Sequence, residues 1–285
     1  MIAALQKQPN GTIQLTVTIP FSVVRKTWDG VIEETAKNIE VAGFRKGKAP
    51  KHLVEEKLDK TKIREAVLKK LLPQYYIEAI KEQNVNPIMS PKIHVKELKD
   101  PSLNDKDWQF TALTCEAPTV NLNNYKDKIK SLTAKSKIVI PGKPFGSAQD
   151  KPEVKFEDIV KALLDSVTAN ISSILIDNET DRLLSQTLED IKKLGLSLDQ
   201  YLKSTGKNPE ILRTEYRKKA ENDIKLELTL QKIAEDEKIV VEDKEINEAI
   251  KAGKSEDETK NLENNKYLLA SILRQQKTLD FLKNL

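Results

Sequence analysis

Three short segments in the first 120 residues alternate between apolar and polar residues with a period of two. They are 12–19, 92–98 and 108–117. Successive side chains of a β-strand point to opposite faces of the sheet, so this alternation predicts three half-buried strands. Strands of this length predict a small antiparallel sheet.

Between the first two of these strands the apolar residues follow helical spacing instead. The first run has four residues at steps of four: Val24, Trp28, Ile32 and Ala36. This spacing predicts a helix from Phe21. After Pro50 we expect a short helix over 52–58 and a longer one from about Thr61, which Pro73 would kink or divide. One strand, a helical middle and two further strands predict an α+β domain over residues 1–125, with a small antiparallel sheet and helices on one face.

The rest of the chain has no strand pattern. Residues 126–155 carry many lysines, few large apolar residues and several prolines and glycines, which is the composition of a linker. From Phe156 onward the spacing is helical, and it predicts an all-α domain over 156–285. With 32% charged and 38% hydrophobic residues, we expect elongated modules with much exposed surface.

Capping residues mark the ends of two of the helices in this second half. Ser197 can cap a short helix that ends near Gly206, and Asn208 followed by Pro209 can open a long helix to about Lys238. The long helix has two adjacent rows of apolar residues. A face that wide is expected to pack against more than one neighbour, although part of it can instead bind another chain.

The composition of the chain indicates the cellular compartment in which the protein is expected to occur. No run of about 18 apolar residues could cross a membrane, and the first residues lack the features of a signal peptide. One cysteine, Cys115, allows no internal disulfide and fits a reducing compartment. We therefore expect a cytoplasmic protein that does not contact a membrane.

No arrangement of residues indicates catalysis. The two histidines, His52 and His94, have no cysteine or second histidine at metal-ligand spacing. Cys115 lies in a predicted strand and is expected to be a small core residue. The glycines at 43 and 47 do not follow a strand as a phosphate-binding loop requires. We expect no catalytic residue, no metal and no cofactor.

The segment 43–50, Gly-Phe-Arg-Lys-Gly-Lys-Ala-Pro, has the composition of an exposed loop. Two glycines and a proline oppose a helix, and three cations oppose burial without partners. Residues 44–70 hold 10 basic and 4 acidic residues, which favours an anionic partner. An aromatic ring beside cations is typical of an interface anchor. A basic turn without a partner remains an equally open interpretation.

This segment resembles the Gly-Phe-Arg-x-Gly-Lys-x-Pro ribosome-docking loop of trigger factor, the bacterial chaperone of nascent chains. The order of elements in residues 1–120 is similar to the ribosome-binding domain of that family, and the helical half resembles its substrate-cradling, SurA-like domain. Most members also carry an FKBP-like prolyl isomerase domain between these parts. Here only the linker occupies that position, so we expect no isomerase activity.

The resemblance implies particular roles for the loop residues. Phe44, Arg45 and Lys46 would dock on the large ribosomal subunit, contacting a protein and rRNA beside the exit tunnel. Lys48, Lys51 and Lys57 would add salt-sensitive attraction to RNA. Two glycines, Gly43 and Gly47, would shape the loop, and Pro50 would start the next helix.

The function implied is an ATP-independent chaperone that shields nascent or unfolded chains. Two alternatives stay open: a ribosome-associated or RNA-binding interaction protein without chaperone activity, and a member that retains isomerase activity. Whether the free protein forms a homodimer is also left open.

Overall fold

The computed structural model describes residues 2–37, 59–96, 101, 105–136, 155–252 and 256–285. These residues form two compact units. One contains Met1–Ala117 with Ser172–Leu175, and the other contains Pro118–Ile171 with Ile176–Leu285. The division of function among 1–125, 126–155 and 156–285 stays a prediction.

The first unit contains a four-stranded antiparallel sheet in the order β1–β2–β4–β3. Its strands are β1 (Ile2–Lys7), β2 (Thr12–Ile19), β3 (Lys92–Val95) and β4 (Trp108–Cys115). The three predicted strands are therefore confirmed, and β1 is an addition. Residues 2–5 are all apolar and do not alternate with polar ones. The alternation rule therefore does not detect β1. Its backbone pairs with that of β2, and Leu5 lies opposite Leu15.

Among the described residues of the first unit, two segments are helical: α1 (Phe21–Ala36) and α2 (Lys60–Glu82). They pack against each other, and α2 packs against β2. Pro73 lies inside α2 without dividing it. The buried residues Leu71 and Tyr75 hold the helix to the core on both sides of the proline. The α+β class of this part of the chain is confirmed.

Trp28 of α1 and Trp108 of β4 lie at the centre of this core. Both are almost fully buried, and their rings meet edge to face with centroids 6.4 Å apart. Such pairs add about 0.5–1.5 kcal/mol to the gain from burial. The Trp28 Nε1 atom has no hydrogen-bond partner among the described residues, so the ring acts through packing alone.

Residues 172–175 join the first unit although the sequence places them in the helical half. Ser172 Oγ lies 2.9 Å from Thr12 Oγ1 of β2 in a buried hydrogen bond. Short hydroxyl side chains carry no hydrophobic pattern, and so this contact between distant parts of the chain left no signal for the sequence analysis.

Where the structure describes the second unit, its regular elements are helices and one pair of two-residue strands, β5 (Val120–Asn121) and β6 (Thr168–Ala169). The helices from residue 118 onward are α3 (Tyr125–Ser136), α4 (Phe156–Ser166), α5 (Ser173–Lys193), α6 (Leu198–Thr205), α7 (Pro209–Asp236), α8 (Asp243–Lys251), α9 (Glu256–Asn264) and α10 (Lys266–Lys283). Ser197 caps α6 and Asn208 caps α7, as predicted.

Helix α3 occupies residues that the sequence predicts as linker. It packs against α4, and its Tyr125 and Ile129 are buried with Ile159 and Leu163 of that helix. The prediction of a linker without a packed core is therefore wrong for 126–136. Two large apolar side chains hold α3 in the core. The lysines of this segment outnumber them, so its composition is that of a linker.

The carboxylate of Glu237, the C-terminal cap of α7, binds the first two residues of α3. Glu237 accepts a hydrogen bond from the Tyr125 hydroxyl at 3.1 Å, and Lys126 Nζ lies 2.6 Å from the same carboxylate. Lys126 chiefly, with help from Tyr125, holds the pKa of Glu237 below its usual range. Burial, and then Glu237, raises the pKa of Tyr125. These contacts make α3 part of the second unit.

We predict that Trp28→Ala destabilises the first unit by about 3–5 kcal/mol, because it leaves a large cavity in the core. Urea unfolding followed by circular dichroism measures this change without depending on tryptophan fluorescence. Trp28→Phe keeps an aromatic ring and removes only an unpaired N–H group with part of the ring, so its cost should be clearly smaller. Equal costs for the two variants would contradict the packing role.

Candidate functional site

The predicted docking residues lie outside the described residues. They are Gly43, Phe44, Arg45, Lys46, Gly47, Lys48, Pro50, Lys51 and Lys57. The ribosome-docking site therefore stays a prediction, and His52 lies in the same part of the chain.

The helices on either side of this segment are well anchored. Asp59 caps α2 by accepting a hydrogen bond from the Thr61 backbone N–H at 2.9 Å. Lys70 Nζ of α2 lies 2.6 Å from the Glu34 carboxylate of α1. The two helices that precede and follow residues 38–58 in the chain therefore pack against each other.

The second unit contains an apolar cleft of about 440 Å³. Its walls are α7, the segment 239–241 that follows it, and α10. Three buried residues form its base: Leu230, Ala234 and Thr278. The base belongs to the folded core, so the cleft exists before anything binds in it.

The edge of the cleft exposes large apolar side chains. Val240 is 69% exposed and Tyr267 is 92% exposed. Leu268 and Ile272 of α10 are also exposed, but they do not line the cleft. Single exposed apolar residues are ordinary, but a group of them beside a cleft is typical of a binding surface.

Hydrogen bonds from α10 hold the segment 239–241 in place. Arg274 Nε donates to the Ile239 carbonyl at 3.0 Å, and Lys277 Nζ donates to the Val240 carbonyl at 2.9 Å. Lys277 also lies 2.6 Å from Glu245 of α8 and is the main cause of the lowered pKa of that carboxyl. The exposed Val240 side chain is therefore displayed by an anchored backbone.

Charged and amide groups complete the lining. Glu227, Gln231 and Gln275 face the cleft, and the Glu227 carboxylate has no ion pair or hydrogen bond within the described ranges. An apolar base with a few polar groups around it fits an apolar side chain of a peptide whose backbone can bond to those groups.

A larger hollow of about 850 Å³ is a weaker candidate. It lies beside β5 and β6, and its lining is mostly exposed polar residues, including Asn121, Asn124 and Asn170. A shallow, wet surface of this kind lacks the buried apolar base that gives binding energy.

The described residues show no sign of catalytic chemistry. Cys115 is fully buried, and burial raises the pKa of its thiol, which disfavours the reactive thiolate. His94 is an exposed residue of β3. Within the same ranges, no group of three or more His, Cys, Asp or Glu side chains could hold a metal, and no helix is long and apolar enough to cross a membrane.

The spacing of apolar residues predicts the helical domain over 156–285 but not the cleft. Residues 239–241 and 267–269 are both runs of three apolar residues. Such runs do not show which side chain is left exposed, because that depends on how α7 and α10 meet. Residues 267–269 offered one sequence signal. Three consecutive apolar residues at the start of a helix cannot all lie on one buried face, so at least one of them is expected to be exposed.

Comparison with known proteins places both halves of the chain in one family. The model described as "Bacterial trigger factor protein (TF)" matches residues 1–140, and the model described as "Bacterial trigger factor protein (TF) C-terminus" matches residues 147–284. Only residues 141–146 separate the two matches, so no further domain lies between them in this chain.

Curated relatives match the N-terminal part. Trigger factor of Staphylococcus epidermidis (strain ATCC 35984) is 34% identical over 126 residues, and that of Staphylococcus aureus (strain JH9) is 33% identical over the same length. Each match covers 44% of this chain and 28% of the relative. The matched part thus spans under a third of the length of these relatives.

A solved structure has the same fold over the whole chain. It is described as "Promiscuous Substrate Recognition in Folding and Assembly Activities of the Trigger Factor Chaperone", and it superposes with a TM-score of 0.67 at 16% identity. The superposition covers 100% of this chain and 99% of that one.

Fold and cleft together define a protein with an α+β module and a helical module that contains an apolar cleft. The matches to both terminal family models show more than this general class. The chain belongs to the trigger factor family.

We predict that Lys277→Ala loosens the segment 239–241 without unfolding the protein, because it removes the bonds to Val240 and Glu245. Hydrogen exchange should show faster exchange of the amide protons of residues 239–242. The Glu245 contribution is present above the ordinary pKa of a carboxyl, and it is lost as the pH falls through the lowered pKa of Glu245. Lys193→Ala, which breaks an exposed pair with Asp190 on α5, is the control and should leave residues 239–242 unchanged.

Proposed function

We propose that this protein is a cytoplasmic, ribosome-associated chaperone that binds nascent or unfolded chains without ATP. It would dock near the polypeptide exit tunnel through the segment 43–50 and bind its clients on the helical unit. The observation that carries the proposal is the exposed apolar cleft between α7 and α10, in a chain that matches both terminal trigger factor models.

The cleft has the physical properties that a chaperone site needs. Burying one aliphatic or aromatic side chain contributes about 1.5–3 kcal/mol, and ordering an unfolded peptide costs part of that gain. Two or three such contacts therefore give weak and reversible binding. The exposed Tyr267 ring and the anchored Val240 side chain offer these contacts to many sequences, since neither requires a particular hydrogen-bond pattern.

Docking would combine an apolar anchor with charge. Phe44 would fill an apolar site on the ribosomal protein, while Arg45 and Lys46 would bind acidic side chains or rRNA phosphates. Hydrogen bonds between such ionised groups are stronger than neutral ones, and contacts to phosphate weaken as salt rises. Gly43, Gly47 and Pro50 would shape the loop.

We further propose that the protein has no prolyl isomerase activity. The two family models account for all but a few residues of the chain, and the residues between the matches are too few to fold alone without a disulfide or metal. An interaction protein that binds ribosomal RNA but no clients is the competing proposal, and the cleft favours the chaperone over it.

We predict that replacing Phe44, Arg45 and Lys46 together with alanine abolishes co-sedimentation with ribosomes. The reason is that the variant loses the apolar anchor and both cations. Circular dichroism should be unchanged. Replacing Lys92 and Lys96 of the β3 region with alanine removes two cations elsewhere and should leave binding nearly intact. Unchanged binding of the triple variant in moderate salt would refute the docking assignment.

We predict that the protein slows aggregation of an unfolded client but does not accelerate a refolding reaction limited by proline isomerisation. Light scattering measures the first effect and refolding kinetics the second. A faster proline-limited phase would show that isomerase activity is present.

A variant of the cleft tests whether protection from aggregation depends on its exposed apolar side chains. Val240→Ser with Tyr267→Ser removes two exposed apolar side chains, so stability should change little while protection from aggregation falls several-fold. Leu194→Ser changes an exposed leucine outside the cleft lining and serves as the matched control. Equal protection by both variants would exclude this cleft as the client site.

A further inference from the structure

The first half of α2 exposes a basic surface that the docking segment does not include. Residues 60–70 contain five basic residues and one acidic residue. Lys62 and Lys69 are seven positions apart, so they lie on the same side of the helix with their Cα atoms about 10 Å apart. Both are exposed.

The orientation of this surface follows from the packing of α2. Ile63, Val67 and Leu71 are buried in the core of the first unit. At 100° per residue, Lys62 and Lys69 project from the side of the helix opposite Val67. The core contacts therefore direct the two ammonium groups into solvent.

Two acidic groups of the neighbouring helix α1 are paired with other cations. On α1, Glu34 pairs with Lys70 at 2.6 Å and Asp29 pairs with Arg25 at 3.3 Å. Glu65 shares the exposed side of α2 with the two lysines. In the part of the chain that the structure describes, neither Lys62 nor Lys69 has an ion-pair or hydrogen-bond partner. This surface thus carries two positive charges that have no fixed partner, together with the one negative charge of Glu65.

We propose that Lys62 and Lys69 form a second contact with the sugar-phosphate backbone of RNA, beside the docking segment. Two flexible ammonium groups with no fixed partner suit phosphates, which require charge but no precise geometry. An RNA duplex presents phosphates along its whole length, so both lysines can be occupied at once. The identity of this RNA as ribosomal rests on the proposed function.

Binding to RNA phosphates has a quantitative signature. Each phosphate contact releases counterions, and the slope of log affinity against log salt changes by about 0.7–0.9 per contact. Lys62→Gln with Lys69→Gln should therefore reduce the steepness of this slope by about 1.4–1.8. The difference from the wild type should be largest at low salt and small at high salt.

A matched control is available on the same two helices. Lys26 of α1 and Lys81 of α2 are also exposed, and they lie toward the end of the helix pair remote from residues 38–58. Lys26→Gln with Lys81→Gln removes the same total charge, so a general charge effect would change both double variants equally. Circular dichroism checks that both remain folded.

The experiment has two parts, with full-length protein in each. Salt-dependent co-sedimentation measures binding to ribosomes, and fluorescence anisotropy measures binding to a short mixed-sequence RNA duplex. The proposal expects a shallower slope in both for the Lys62/Lys69 variant and an unchanged slope for the control. Equal slopes for the two variants would overturn it. An effect on ribosomes but not on the duplex would also overturn it, in favour of an acidic protein surface.

The two parts distinguish this inference from the proposed function. If the wild type does not co-sediment with ribosomes, ribosome docking is refuted, and the duplex measurement alone decides whether the basic surface binds RNA. If the triple variant at 44–46 loses ribosome binding while the Lys62/Lys69 variant behaves as wild type, docking stands and the second contact is refuted.

Discussion

Helix α7 is the element on which the helical unit depends, because two separate apolar clusters are built on it. Its C-terminal half contributes Leu230 and Ile233 to a core shared with α3, α4 and α10. Its N-terminal half contributes Ala220 to a second cluster with residues of α5. A helix with one narrow apolar stripe could not do both.

The same helix forms one wall of the apolar cleft. The cleft lies between α7 and α10, and the buried Leu230 and Ala234 of α7 form part of its base. The segment 239–241 closes one side, held by Arg274 and Lys277. The apolar side chains of Val240 and Tyr267 are thus exposed on folded elements. Their exposure does not require partial unfolding of the unit.

The two proposed binding activities use different physical interactions. Contacts with clients would come from apolar burial, which has little dependence on salt, whereas docking would depend partly on charge, which salt screens. The charge distribution follows this division: residues 1–128 carry 21 basic and 16 acidic residues, while residues 151–285 carry 23 and 27. A slight negative excess in the second half also limits its attraction to RNA.

Local patterns in the sequence determined the class of each module, three strands of the sheet, and the caps of α6 and α7, because each depends on residues within a few positions of one another. The segment 43–50 was also recognisable as an unusual loop from its residues alone. Tertiary structure decided the features that join distant residues: β1 at the sheet edge, α3 fastened by Glu237, and Ser172 bonded to Thr12. The cleft belongs to this second group, since the exposure of Val240 and Tyr267 depends on how much of each helix its neighbours bury. A sequence records which residues are apolar, and only packing determines which of them remain exposed.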